Sequence, residues 1–188
     1  WPILRRSARR IASFVENMLA FSKPRKPALE TIDLEALFEE VSQTFWGLLL
    51  RRDVTLEMHV DKAVRRARLD SRGLYRCMLN LLLNASEAVS RGEGHIRMTA
   101  AKTDNGWLAI EVADNGPGIP DAYIHRIFEP FFSTKGSQGT GLGLAVTQKT
   151  VAEHGGQITV SRAPEGGALF RIVLPQEAPQ DENRIEGL

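Results

Sequence analysis

A single cysteine, Cys77, stands among the 188 residues, which excludes an intrachain disulfide and makes a reducing cytoplasm the expected compartment. Charge of one sign is not in excess: 24 Lys and Arg against 23 Asp and Glu leave a formal net charge of +1, so the chain as a whole offers no electrostatic footprint for nucleic acid. No apolar run reaches membrane-spanning length and no leader pattern is present, so no membrane contact is expected of this piece. There is no internal repeat. Two common phosphate loops are missing as well. The nearest GxxxxG match, Gly136 to Gly141, is followed by Leu142 where a Walker loop needs Lys, and a dinucleotide fingerprint fails because Leu144 takes the place of its last glycine. With 43% hydrophobic residues, the chain can bury one core and still carry an appended helix.

What is present is a set of loops suited to a nucleotide. Leu108, Ile110 and Val112 alternate as one face of a strand, so Asp114 falls where that strand ends and the chain turns through DNGPGI, Asp114 to Ile119. An ionised carboxylate is acceptor-only. It suits the exocyclic amine of adenine and repels the carbonyl that guanine would present there, which favours ATP over GTP. Gly116 and Gly118 are expected to adopt positive φ and approach a flat base closely, with Pro117 stiffening the turn. A second loop, GTGLGL, places Gly139, Thr140, Gly141, Leu142 and Gly143 directly before an amphipathic helix. Amides at a helix N-terminus attract phosphate, and Thr140 adds a hydroxyl donor.

A third element lies upstream of both loops. Leu74, Cys77, Met78, Leu81, Leu82, Ala85, Ala88 and Val89 recur at helical spacing and define a stripe that faces the core. Asn80, Asn84 and Glu87 fall on another face of the same helix, at i, i+4 and i+7. Carboxamide oxygens there suit Mg2+, with Asn84 the primary metal ligand and phosphates and water completing the octahedron. An isolated Asn pair on a helix is usually a solvated surface; the two loops downstream change its meaning.

In this order, the asparagine box (Asn80 to Asn84), the first glycine box (Asp114 to Gly118), the phenylalanine box (Phe128 to Phe132) and the second glycine box (Gly139 to Gly143) resemble the catalytic, ATP-binding domain of sensor histidine kinases. These belong to the wider family shared with gyrase B, Hsp90 and MutL. FEPFFSTK followed by GTGLGLA is most similar to the nitrogen-regulation subgroup. The resemblance implies an α/β (α+β) two-layer sandwich in which a mixed sheet carries helices on one face. It also implies ATP and Mg2+ under a mobile lid, Asn115 to Gly139, with Phe128, Phe131 and Phe132 as its docking points. The matched boxes carry over a nucleotide site of Asn80, Asn84, Asp114, Gly116, Gly118 and Ile119, joined by Lys135 and by Gly139 to Gly143. Catalysis would rest on Asn84 and on Lys135, a lid cation able to reach the γ-phosphate. Arg126 is a second lid cation. Glu87 departs from the basic residue that many sensor kinases carry at that position.

The pattern independently predicts helices near 34–50, 71–90 and 142–154, and strands near 54–60, 66–69, 95–101, 107–113, 156–162 and 168–174. A short extended piece near Thr31 is expected at an edge, Asp33 is a candidate helix cap, and Gly155-Gly156 a helix stop. Before them, Leu4, Ala8, Ile11, Val15 and Met18 step by four and three, a helix-bundle seam. It resembles the end of a kinase dimerisation helix. The expected organisation is a dimerisation-type helix over 1–22, a linker over 23–30, a catalytic domain over 31–175 and a disordered tail over 176–188.

The family's acceptor is a histidine followed by an acidic residue, whereas His59, His95, His125 and His154 precede Val60, Ile96, Arg126 and Gly155. The chain is therefore expected to be a piece of a longer, homodimeric kinase, with any membrane attachment in the remaining portion, whose acceptor domain and response-regulator partner are separate. Two other readings remain open from the residues alone: an ATP-gated dimerisation module, and a nucleotide-binding scaffold without kinase activity.

Overall fold

The computed structural model describes residues 26–136 and 139–176, with Val15, Met18, Leu19 and Ser22 as separate helical positions. The rest of the expected N-terminal seam, the linker residues 23–25, the lid residues Ser137 and Gln138, and the tail beyond Gln176 lie outside the described residues.

Strand β1 (Glu30–Asp33) leads into helix α1 (Leu34–Arg52). Asp33 caps this helix: its Oδ1 accepts from the amides of Glu35 and Ala36 at 2.9 and 3.2 Å, and Oδ2 accepts from Arg65 Nε at 3.1 Å. Apolar residues at helical spacing, from Leu34 to Leu49, turn one face of α1 to the core. The helix ends on Asp53 in a left-handed conformation (φ 53°), and β2 (Val54–Val60) begins at the next residue. β3 (Arg66–Leu69) follows, then α2 (Ser71–Ala88), β4 (Gly94–Lys102), β5 (Leu108–Asp114), the single turn α3 (Asp121–Ile124), α4 (Gly143–Glu153), β6 (Gln157–Arg162) and β7 (Ala168–Leu174).

The main sheet has the order β2-β4-β5-β7-β6. β2 and β4 run parallel, and the other neighbours are antiparallel. Parallel neighbours need a long crossover, and α2 supplies it. The expected edge piece near Thr31 does not join this sheet. It pairs with β3 as a separate antiparallel ribbon, Thr31 opposite Arg68 and Asp33 opposite Arg66. Sequence spacing shows that a strand exists without showing its partner, so the ribbon emerges only in three dimensions.

Strand alternation separates the two faces of the sheet. Ile96, Met98, Leu108, Ile110, Val112, Phe170 and Ile172 are buried on the inner face, which the helices cover. On the outer face, Glu111 pairs with Arg171 at 3.4 Å, and His95 lies 3.6 Å from Glu57 and 3.0 Å from Glu165. Asp114 belongs to the inner set: it stands opposite Ile96, two residues beyond Val112. The alternation that builds the core thus carries a carboxylate beneath the helix layer.

Three local expectations are corrected. Trp107 precedes β5 rather than starting it, because the Thr103 and Gly106 turn occupies it: the Thr103 amide donates to the Trp107 carbonyl at 2.8 Å. Ala88, expected on the buried stripe, is exposed because α2 ends there. Within the lid, Asp121–Ile124 form one helical turn that no periodicity could reveal over four residues.

Candidate nucleotide site

Helix α2 is the wall on which the loops converge. Asp70 caps it, its Oδ1 accepting from the Gly73 amide at 3.3 Å. Leu74, Cys77, Met78, Leu81, Leu82 and Ala85 sink into the core, which turns the asparagine side outward at half-burial. Polar contacts then follow along it. Asn80 Nδ2 donates to the Gly143 carbonyl at 3.2 Å and approaches Thr147 Oγ1 at 3.4 Å, tying the start of α4 to α2. Asn84 Oδ1 accepts from Lys135 Nζ at 3.0 Å. The same ammonium forms a short ion pair with Glu87 Oε2. At the C-terminal end, a Cβ on Gly116 would stand 3.0 Å from the Ala88 carbonyl oxygen, so the first glycine loop lies against the last turn of the helix.

Asp114 is only 4% exposed. Its Oδ1 accepts from the Gly116 amide at 2.9 Å and the Ala168 amide at 3.3 Å. Burial raises the carboxyl above its ordinary value, and the two backbone amides oppose that shift. Its Oδ2 receives no hydrogen bond among the described residues, which leaves an acceptor for a ligand. Gly167 completes the cradle. Any Cβ at that position would overlap the Asp114 carbonyl and carboxylate oxygens. Sequence reasoning missed Gly167, whose only signal was the Gly-Gly pair in the β6–β7 hairpin. It missed Asn115 too. Asn115 accepts from the His95 amide and donates to the Glu93 carbonyl, each at 2.8 Å, fastening the loop to β4.

The expectation for the first loop holds in part. Gly118 takes φ 77°, whereas Gly116 is absent from the positive-φ residues. Gly116 is required by space instead: its Cβ would lie 2.9 Å from Asp114 Oδ1. Ile119 is half-buried and packs on the core.

At the second loop, α4 begins at Gly143 behind Leu142, with no side-chain cap and no acidic residue in its first turn. The amides of that first turn therefore lack intrahelical acceptors. Thr140 Oγ1 accepts from the Leu142 amide at 3.4 Å, leaving the hydroxyl hydrogen to donate. Leu142 is fully buried, so its side chain anchors the loop while the backbone faces the site. Gly141 takes φ 65° and abuts the Phe131 backbone, whose amide donates to the Gly141 carbonyl at 2.9 Å. Gly139 packs against Ser133. The lid and the second loop are one connected piece.

The aromatic box divides. Phe128 and Phe132 pack on the core, and Phe132 is flanked by Tyr123 and capped by the Arg126 guanidinium 4.4 Å from the ring centroid. Phe131 does not dock. It is 62% exposed and carries φ 67°, because the contact with Gly141 turns its backbone outward. Arg126, engaged with Phe132 and with Glu129 at 3.5 Å, is thereby set apart from Lys135. A cavity of about 100 Å3 between the lid and β6 touches Gly118 and Ile119 but none of Asp114, Asn84 and Lys135.

Comparison with known proteins agrees with this arrangement. Residues 69–178 match the family described as Histidine kinase-, DNA gyrase B-, and HSP90-like ATPase. Sensor histidine kinase ZraS of Klebsiella oxytoca is 34% identical over 97% of this chain, and Nitrogen regulation protein NtrY of Azorhizobium caulinodans is 34% identical over 92%. The full-length structure of ShkA in complex with AMPPNP superposes with a TM-score of 0.83 at 28% identity over 94% of the chain. The chain spans 39% of ZraS, 23% of NtrY and 38% of ShkA. Fold, motif order and match together show that this chain belongs to the histidine kinase-, DNA gyrase B- and HSP90-like ATPase family and corresponds to the ATP-binding catalytic domain of its sensor histidine kinases.

Proposed function

We propose that this chain holds ATP as its Mg2+ complex and places the γ-phosphoryl group for transfer to a histidine on a dimerisation domain. One observation carries the reading: three loops of different chemistry meet a single face of α2, where the Asn84 oxygen already gathers a cation, the Lys135 ammonium. A hard oxygen donor that accepts an ammonium is also suited to a divalent ion, so the residues fit Mg2+, with Asn84 as its ligand. When bound, the ion neutralises phosphate charge.

Each residue then has a separate task. Asp114 Oδ2 accepts from the adenine amine, and Gly116, Gly118 and Ile119 lie along the base. Thr140 and the amides at the start of α4 donate to phosphate oxygens, favoured by the helix dipole. Gly139, Gly141, Leu142 and Gly143 bring that backbone close. Asn80 keeps α4 in register with α2, and Lys135 serves the γ-phosphate. The acceptor imidazole nitrogen attacks phosphorus in line as the bond to the β-phosphate oxygen breaks, and ADP leaves with the electron pair. The imidazole proton is lost on the acceptor's side. Catalysis is chiefly placement and charge neutralisation.

We further assign residues 1–22 to a dimerisation helix, 23–30 to a linker, 31–175 to the catalytic domain and 176–188 to a tail. The whole protein would act as a homodimer that passes the phosphoryl group to a response regulator. Titration with a fluorescent ATP analogue should give a saturable signal that depends on Mg2+, and mixing with a separately supplied acceptor domain and γ-labelled ATP should give acid-labile label. Saturable binding without label would favour a conformational module or a scaffold.

A further inference from the structure

Glu87 pairs with Lys135 at the site but has no task in holding the nucleotide, and its charge is wrong for a place beside phosphates. It stands three residues after Asn84 and therefore on the same side of α2. Its carboxylate is engaged by Lys135, whose ammonium also donates to Asn84 Oδ1 at 3.0 Å. Lys135 and Glu87 side chains are 38% and 41% exposed, so the contact sits at the rim, open to solvent and to an incoming ligand.

We propose that Glu87 is a positioning residue that latches the lid to α2 through Lys135 in the nucleotide-free protein, and that Lys135 and the divalent cation are alternative occupants of the Asn84 oxygen. The proposal rests on the reading of this site as one for a Mg-nucleotide. Mg2+ requires its oxygen ligands at about 2.0–2.1 Å in a near-octahedral shell. An oxygen engaged that closely on its exposed side leaves no room for an ammonium at hydrogen-bond distance, and the two cations repel. Lys135 must then leave Asn84 as the ion arrives.

The surrounding geometry allows that exchange without dismantling the lid. Gly136 follows Lys135 with φ 55° and, among the described residues, nothing within 4 Å of its Cβ position, so no described neighbour crowds the Lys135 side chain from that side. The rest of the lid stays held by the Phe131 amide on the Gly141 carbonyl at 2.9 Å and the Lys135 amide on Ser133 Oγ at 3.1 Å. Glu87, one turn beyond Asn84, keeps the released ammonium at the phosphate end of the site. It also has its own charge neutralised, which an incoming triphosphate requires. The cation on this side of α2 is thus supplied by the lid.

Two measurements test this. In the nucleotide-free chain, amide hydrogen exchange of the lid segment around Lys135 should quicken about two- to fivefold in Glu87→Gln and in Lys135→Met, the range expected for an exposed pair. The double variant should go no further than either single one, Lys135→Arg should restore protection, and added salt should speed the wild type toward the variants. Unchanged exchange in Glu87→Gln, or full additivity, overturns the latch. In the second measurement, the Mg2+ concentration that half-saturates binding of a fluorescent ADP analogue, which has no γ-phosphate for Lys135 to serve, should fall by a similar factor in Lys135→Met; an unchanged or raised value overturns the competition. If the wild type binds no analogue at any Mg2+ concentration, the functional reading itself fails, a result separate from the exchange data.

Discussion

At the scale of single residues, the site is built from groups placed where the fold alone would not choose to put them. Asp114 is a carboxylate on the core face of the central sheet, and burial raises its pKa. A carboxyl whose folded pKa exceeds its unfolded one destabilises the fold as pH rises through the window between the two values. Asp114→Asn should therefore leave thermal stability at neutral pH unchanged or higher, since an amide oxygen can still accept from Gly116 and Ala168. It should also weaken nucleotide binding by roughly tenfold or more. Calorimetry and titration on the same sample check both; a loss of stability would show that the ionised form supports the fold. Cys77 offers a second test. Burial pushes its thiol up to about 12, and thiolate is the reactive species. The native chain should resist iodoacetamide at neutral pH and become labelled only when denaturant opens α2, as mass spectrometry would read.

At the scale of elements, each functional loop is tied to a helix by a specific polar contact or a forced glycine. Gly141 joins the second loop to the lid, at φ 65° and in close contact with the Phe131 backbone. Gly141→Ala adds a left-handed strain and an overlap together. The variant should keep its secondary structure by circular dichroism while nucleotide affinity falls by about tenfold; unchanged affinity would uncouple the lid from the second loop. The cap of α1 behaves oppositely to Asp114 in acid. Amides of α1, the Ala36 amide foremost, together with the Arg65 guanidinium, hold the Asp33 carboxyl below its ordinary value. A depressed folded pKa gives stability that is present above the unfolded value and lost as pH falls through the folded one. Asp33→Asn should therefore flatten the acid limb of a stability curve, while changing little at the nucleotide.

At the scale of the whole molecule, the two faces of one sheet differ in what they contribute. Ile110 is fully buried at the centre of the inner face, and Ile110→Ala should cost about 2–5 kcal/mol, a large part of a typical domain's stability. The Glu111–Arg171 pair lies on the outer face, part-exposed, and removing it should cost less than about 1 kcal/mol. Urea midpoints of the two variants decide this; similar losses would mean that the outer face is covered in solution.

Much of this was legible without coordinates. The alternation Leu108, Ile110, Val112 placed Asp114 at the strand end, the stripe from Leu74 to Ala85 defined the inner side of α2, and the spacing of Asn80, Asn84 and Glu87 put three polar groups on one line. These are local regularities, set by the periods of strand and helix, and a chain states them directly. The tertiary structure decided the rest: that the strand at Thr31 pairs with β3 apart from the main sheet, that Phe131 turns outward while Phe132 docks, that Gly167 must lack a side chain for the sake of Asp114, and that Lys135 crosses to Glu87 and Asn84. Thr31 faces Arg68, Lys135 reaches Glu87 and Asn84, and Gly167 meets Asp114, partners 37 to 53 positions away, while Phe131 answers to Gly141 across a loop without regular structure. Periodicity carries no information over such distances, and only packing selects which of many possible contacts is made.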